Sequence, residues 1–468
     1  MRNAKIICTI GPSSSSPRTL ENMIRAGMNV ARLNFSHGTR DQHAESVKTI
    51  RTLAEKYDAP VAIVQDLRGL KIRVGALTNG AVVLKKGARL LLTTKRIQGD
   101  SRQIPVPWQG LTRDVNVGDT VLMDDGLLQV KVMQKSRTAL EVKVVEGGLL
   151  REKKGVNLPG TEITGEVFTR KDREDLMLGI RLGIDYVAMS FVRSGDDICR
   201  IKRWLKKQNA DIPVIAKIEN RQSLENIDGI IEASDGLMVA RGDLGVEVPM
   251  ENVPMIQKEL IQKCNNAMKP VITATQMLES MTEHMAPTRA EAADVANAVL
   301  DGTDALMLSA ETSVGKHPVA ALKMMDKIVV AAESKAGRRD MSKLSSSGFP
   351  QALAGAACTS AQEIKARTIV AFSRSGFTAL LVSTYRPVVS ITGFTDHERG
   401  RRRMNLYWGV TPHVMKFPEN TDDMISESER VLLRKGLVKK GDSIIIIASS
   451  PFSLGGKTNL MKLHRVGY

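Results

Sequence analysis

Five short runs between Asp185 and Ser309 decide the architecture: DYVAMS (185–190), IPVIAKIE (212–219), GLMVAR (236–241), KPVITAT (269–275) and DALMLS (304–309). Each is apolar almost throughout instead of alternating, which is how a parallel strand buried on both faces reads. The spacing leaves room for a helix after each run, the rhythm of repeated βα units. Toward the N-terminus three more runs share this character: AKIICTI (4–10), MNVARLNF (28–35) and APVAIVQD (59–66). A helical pattern from His43 to Tyr57, with Val47, Ile50 and Leu53 on one stripe, joins the last two. Eight such units are what a closed (β/α)8 barrel requires. An open doubly wound sheet is the alternative, but it usually has fewer strands.

The rhythm breaks once inside the barrel and stops after it. GAVVLKKGARLLLTT (80–94), DTVLMDDGLLQVKVMQ (119–134) and TALEVKVVEGG (138–148) alternate with period two and are separated by glycine-containing turns. They predict an inserted all-β module over 71–165, a small β-barrel set in a barrel loop, where insertions are tolerated. The barrel itself then occupies 1–70 and 166–340. The polar, basic stretch KAGRRDMSKLSSSGFP (335–350) reads as a linker, and ARTIVAF (366–372), PVVSIT (387–392), PHVMKF (412–417) and DSIIIIAS (442–449) predict a third, α/β domain over 350–468.

Composition narrows the classes further. The chain has 468 residues, 42% of them apolar, and a net charge of +16. That content suits a folded chain with large cores, and the charge points to polyanionic partners, either nucleic acid or small phosphorylated ligands. Only 17 aromatic residues are present, too few for base-stacking platforms. Cys8, Cys199, Cys264 and Cys358 have no metal-ligand spacing and read as mostly buried thiols of a reducing compartment. No apolar run approaches the ~20 residues that span a bilayer, and the N-terminal run reads as a strand, not a signal peptide, so cytoplasm is expected.

In a (β/α)8 barrel the C-terminal strand ends carry the active site. Six of the eight runs end there in polar groups: Arg32 and Asn34 with Ser36 beyond, Asp66, Ser190, Lys217 with Glu219, Arg241 with Asp243, and Thr275. Singly, each has a plain reading as surface charge or helix cap. Together they describe a site. Glu219 and Asp243 suit Mg2+ or Mn2+ with positions left for substrate and water, although ion pairing with Lys217 and Arg241 is the structural alternative. Lys217 and Arg32 put positive charge where a phosphorylated carboxylic acid would dock, and the glycines of RGDLG (241–245) let backbone amides approach an anion. Phosphoryl transfer or enolate chemistry is favoured. GGKT (455–458) lacks the first glycine of a phosphate-binding P-loop, since position 451 is Pro.

MNVARLNFSHG (28–38), KGVNLPG (154–160), AKIEN (216–220), MVARGDLGVE (238–247), ATQMLESM (274–281) and PTRAEAADVANAVLDGTDALMLSAET (287–312) closely resemble the signature segments of the pyruvate kinase family, and the resemblance extends over essentially the whole chain. It implies a barrel, an inserted lid and a C-terminal effector domain assembled as a homotetramer. It also implies a bacterial-type form without an N-terminal helical extension, and no nucleic-acid or membrane partner. The implied reaction moves the phosphoryl group of phosphoenolpyruvate to ADP, giving ATP and pyruvate in glycolysis. By resemblance, Glu219 and Asp243 hold Mg2+ or Mn2+, Lys217 neutralises the transferring group and Arg32 meets its phosphate. Ser190, Gly242, Asp243 and Thr275 line the substrate side, with Thr275 near the face on which the enolate is protonated. Asn34, His37, Arg73 and the lid residue Lys154 lie on the nucleotide side.

QDLRGLKIRVG (65–75) departs from the commoner form of the family, which has a glutamate at the position of Lys71 and requires K+ near Asn34, Ser36 and Asp66. The version with Leu67 and Lys71 resembles the potassium-independent class, the ammonium standing in for the ion. In the third domain AFSRSGFTA (371–379) resembles a phosphate-holding activator loop, with Ser373, Arg374, Ser375, Gly376 and Thr378 as contacts. ASSPFSLGGKTN (448–459) differs from the form found with fructose 1,6-bisphosphate, so AMP or a sugar monophosphate is equally expected. Two alternatives stand beside this reading. A metal-dependent lyase or aldolase would share the mouth but has no need of a lid carrying Lys154. A nucleic-acid-binding module would rest on the net charge and on RGRRRM (399–404).

Overall fold

The structure, a computed structural model, describes residues 2–335, 348–417, 420–449 and 457–468. The eight apolar runs all form strands: β1 (Lys5–Ile10), β2 (Val30–Asn34), β3 (Ala62–Leu67), β4 (Tyr186–Met189), β5 (Val214–Ile218), β6 (Gly236–Ala240), β7 (Val271–Ala274) and β8 (Ala305–Leu308). Each pairs in parallel with its sequence neighbour, and β1 pairs with β8 to close the barrel. The runs are apolar on both faces because each face meets a different core. Ile6, Cys8, Ile63, Val187, Val214 and Leu237 face the surrounding helices. Ile7, Val30, Val64, Tyr186, Ile215 and Met238 fill the lumen. Fully burying one such side chain contributes about 1.5–3 kcal/mol, so a polar residue among them needs a partner.

The helices begin where the sequence supplies caps. Thr39 with Gln42, Thr169 with Asp172 and Thr288 with Glu291 form reciprocal capping boxes, and left-handed Gly183 and Gly302 end two of the helices. The helix expected from His43 accordingly starts earlier, at Arg40, and runs to Lys56.

Between β3 and β4 the chain builds the inserted β module, which has a hydrophobic cluster of its own. It comprises a six-stranded sheet and a two-stranded ribbon of Ala81–Leu84 with Gly148–Arg151. The stretch from Ile72 to Gly75 runs between the two ends of this sheet: the Val156 amide donates to the Ile72 carbonyl at 3.0 Å, and the Gly75 amide to the Pro105 carbonyl at 2.8 Å. The outer strands of the sheet, Val156–Asn157 and Gln103–Pro105, are only two and three residues long and do not pair with each other.

The third domain is a five-stranded sheet ordered Val410–Val414, Ser390–Thr395, Thr368–Phe372, Ser443–Ala448 and Leu460–Arg465, the last antiparallel. Four of these strands were expected, and the antiparallel edge was not. Most of the linker expected at 335–350 lies outside the described residues. This domain docks on the N-terminal end of the barrel, where Leu406, Val410 and Met404 continue the lumen core. RGRRRM falls in helix Glu398–Met404, and three of its arginines turn toward the barrel. Arg401 pairs with Asp58 at 2.6 Å, Arg402 with Asp185 at 2.8 Å and Arg403 with Asp211 at 2.8 Å. Arg386 adds Asp304 at 2.9 Å, and Lys5 Nζ donates to the Val410 carbonyl at 2.7 Å. The basic run that suggested nucleic acid is therefore an interdomain contact. Among the described residues no helix is long and apolar enough to cross a membrane.

Candidate active site

The lumen strands continue past their apolar part with the same period of two. Val30 leads to Arg32, Val64 to Asp66, Ile215 to Lys217 and Glu219, and Ala188 to Ser190, so these polar groups emerge together at the C-terminal mouth. Arg32 Nε donates to Asp66 Oδ2 at 2.7 Å, and its second nitrogen reaches Thr9 Oγ1 at 2.9 Å. Lys217 Nζ lies 2.7 Å from Ser190 Oγ, 3.2 Å from Asp66 Oδ1 and 2.7 Å from Glu219 Oε1. Glu219 Oε2 accepts the Phe191 amide at 2.7 Å, with Phe191 held at φ 55°.

Burial sets the charge states. It would raise Asp66, but Lys217 and Arg32 outweigh it and hold that carboxyl below its ordinary range. Burial would likewise lower the Lys217 ammonium, yet Asp66 and Glu219 keep it above ordinary lysine. Glu219 is pushed up by burial and by repulsion from Asp243 and Asp66, which Lys217 only partly offsets. A carboxylate repelled by a second carboxylate is one that a divalent cation between them would relieve. The donor set fits such an ion: two carboxylates, with other positions left to substrate and water. Among the described residues no group of three or more His, Cys, Asp or Glu side chains is placed to hold a metal ion, so an ion here would rest on these two carboxylates and on ligands from outside the chain.

Asp243 sits in helix Arg241–Glu247 directly after β6 and pairs with Lys71 at 3.1 Å, while Arg241 turns away to Asp294 at 2.7 Å. The ion-pair alternative is thus realised for Glu219 with Lys217, and for Asp243 with Lys71 in place of Arg241. Lys71 also lies over the Phe191 ring at 5.7 Å. Its ammonium reaches Asp243 and makes no bond to Asn34, Ser36 or Asp66; Asn34 Oδ1 accepts the Ser36 amide at 3.1 Å, and Asp66 is taken by Arg32 and Lys217. Thr275 follows β7 at φ 70°. Its hydroxyl accepts the Gly242 amide at 2.8 Å and donates to the Ala274 carbonyl at 2.6 Å.

Around this group stands a rim of positive charge. His37 is pushed below ordinary imidazole by partial burial and by Arg73, Lys71, Arg32 and Arg68. Arg73 donates to the Lys153 carbonyl at 2.7 Å, and Lys154 is held within the inserted module by Asp124 at 2.6 Å. Asn157 of that module also reaches half-buried Glu247 at 3.0 Å. Beside this joint a cavity of about 200 Å³ shares only Lys71 and Phe191 with the site. Sequence reasoning missed Thr9, although its register opposite Arg32 across β1 and β2 would have indicated it. It also missed the Phe191 amide, which no side-chain pattern reveals.

The second predicted cluster lies in the third domain. Ser373 Oγ accepts the Thr378 amide at 3.2 Å, and the hydroxyls of Thr378 and Thr458 meet at 2.8 Å. Arg374 pairs with Asp396 at 2.9 Å, and left-handed Gly376 starts helix Phe377–Thr384. Ser375 Oγ accepts the Phe377 amide at 3.4 Å. Of the second loop, 450–456 lie outside the described residues.

A desolvated lysine and two carboxylates in a barrel mouth, beside an inserted β module and a cationic rim, define a phosphotransferase of small anionic substrates. The comparisons with known proteins agree and go further. The barrel-domain model of pyruvate kinase matches residues 1–322, and its alpha/beta-domain model matches 351–464. Pyruvate kinases of Staphylococcus epidermidis and Staphylococcus aureus are 43% and 44% identical, each covering 100% of this chain and 81% of their own length. A crystal structure of a pyruvate kinase from Cryptosporidium parvum superposes with a TM-score of 0.93 at 37% identity, over 99% of this chain and 96% of that one. The chain belongs to the pyruvate kinase family and is a kinase.

Proposed function

We propose that the barrel mouth transfers the phosphoryl group of phosphoenolpyruvate to ADP, giving ATP and pyruvate. The observation that carries this reading is Lys217, a buried ammonium shared by Asp66, Glu219 and Ser190, next to an Arg32 that Asp66 orients. Such a pair meets the equatorial oxygens of the transferring group without reorganising. Mg2+ or Mn2+ held by Glu219 and Asp243 would add Lewis-acid charge on the same oxygens. Ser190 and the Asp243 amide hold the substrate carboxylate, while Thr275, which takes the Gly242 amide at 2.8 Å, faces the carbon that is protonated. Asn34, His37, Arg73 and Lys154 take the nucleotide phosphates. In this reading the β module is a lid that excludes water. Pyruvate release from phosphoenolpyruvate, ADP and Mg2+, read through coupled NADH oxidation, tests the reaction. No ADP-dependent signal sinks it.

Three finer assignments belong to the same proposal. Lys71 makes the enzyme independent of K+; its ammonium, 3.1 Å from Asp243, brings a fixed positive charge to the same mouth although not onto Asn34, Ser36 or Asp66. Equal rates in Na+, K+ and tetramethylammonium buffers are expected, and a large specific stimulation by K+ overturns the assignment. The loop Ser373–Thr378, joined by Thr458, binds a phosphorylated activator such as AMP or a sugar phosphate. Activation at subsaturating phosphoenolpyruvate in a screen of these compounds tests it. The working assembly is a homotetramer, to be checked by sedimentation.

A further inference from the structure

We propose that Arg241 is a positioning residue for Thr275, holding the turn after β7 in the conformation that aims the Thr275 hydroxyl at the substrate. Thr275 and Gln276 stand at φ 70° and 54°, two consecutive left-handed residues, the first of them β-branched. Threonine rarely adopts that region, so the turn persists only where its surroundings impose it. Arg241 imposes it. One guanidinium nitrogen donates to both carbonyls of the turn, Thr275 at 2.8 Å and Gln276 at 3.1 Å. The other is anchored on Asp294 of helix Arg289–Asp301 at 2.7 Å and on Gln257 of helix Val253–Asn266 at 3.2 Å.

The next residue in the chain completes the grip, because the Gly242 amide donates to Thr275 Oγ1 at 2.8 Å. Arg241 and Gly242 therefore hold Thr275 from its carbonyl and its hydroxyl at once, and both belong to the helix that carries Asp243. A side chain committed to Asp294, Gln257 and two carbonyls does not bind substrate itself; it acts through Thr275. The consequence is kinetic. Loss of Arg241 lowers turnover, and with it protonation of the enolate, much more than it weakens capture of phosphoenolpyruvate. This inference rests on Thr275 facing the carbon that is protonated.

The test uses the full chain with Mg2+ and four variants: Thr275→Ala, Arg241→Gln, Arg241→Lys and the Thr275→Ala/Arg241→Gln double. The readouts are kcat, KM for phosphoenolpyruvate, and exchange of the pyruvate methyl protons in D2O with ATP, followed by NMR. Thr275→Ala and Arg241→Gln are each expected to lower kcat and exchange at least about tenfold, with KM moving less than about threefold. The double variant should be no slower than the slower single one, the mark of two residues acting as a unit. Arg241→Lys, which keeps the charge but not the fork, should fall in between, and it replaces Arg241→Gln if that variant does not fold. Losses that multiply in the double variant, or a loss confined to KM, overturn the proposal. If Thr275→Ala is slow and both Arg241 variants are not, the positioning role alone falls. If Thr275→Ala itself turns over and exchanges normally, the reading of Thr275 falls and the proposal with it.

Discussion

Both ends of the barrel bury charge, and they use it in opposite ways. At the N-terminal end buried Asp185 and Asp304 are each closed by a guanidinium of the third domain, and the buried Arg401 and Arg403 of that domain reach the exposed carboxylates of Asp58 and Asp211. At the C-terminal end the partners come from the same rim, Lys217 is divided among three acceptors, and Glu219 stays raised by burial and by its acidic neighbours. The first arrangement joins two domains. The second leaves charge that only a ligand completes, which is how perturbed groups gather at functional sites. Buried charge at a strand end therefore carries no function by itself; what matters is whether the fold has already supplied the partner.

Substitution can break that contrast from either side. The largest effect is expected at the mouth: Lys217→Met should lower kcat by roughly 10³- to 10⁵-fold while circular dichroism reports an intact fold. Global unfolding of that variant would place Lys217 with the structural charges. Asp185→Ala should do the reverse. Asp185 accepts from Arg51, Arg402 and the Ile63 amide, so its loss leaves Arg402 without its carboxylate and Arg51 with backbone carbonyls alone, and should cost about 3–5 kcal/mol in denaturant melts, with kcat per folded molecule unchanged. Lys71→Glu sharpens the comparison at the rim, where a K+ stimulation of about tenfold should appear that the parent lacks.

The smallest effect is a pH dependence of the third domain. His413, in strand Val410–Val414, has both ring nitrogens buried without partners, and burial, reinforced by Lys435 and Arg401, pushes it down to about 4. The unfolded chain, with an ordinary imidazole near 6.5, binds the proton more readily over the interval between those values. Stability is therefore full above about pH 6.5 and declines as pH falls toward 4, by about 1 kcal/mol between pH 7 and 5.5. Melts of the parent and of His413→Phe at both pH values check this, since the variant should lose that slope.

Most of the barrel was legible because a strand packed on both faces has no other way to read, and the polar residues ending those strands marked the mouth. The lid was legible from its period of two. Other features depend on encounters that sequence order conceals. Lys71 meets Asp243 across 172 residues, and Arg241 grips a turn 34 residues away. RGRRRM has the composition of an exposed face, and only the docking of the third domain turns Arg401, Arg402 and Arg403 inward. The edge strand Leu460–Arg465 went unseen because its half-exposed LMKLHR lacks β-branched residues.

Closure of the barrel through β1 and β8 also sets a schedule for making the protein. Lys5 pairs with Ala305, 300 residues later. At a ribosomal pace of about 5–20 residues per second, β1 waits roughly 15–60 s for its second neighbour. Throughout that interval the growing sheet has an open edge, a template for pairing with other nascent chains. The inserted module, with a core of its own, is complete in sequence long before, so it can fold while the barrel around it is still a curved, unfinished sheet.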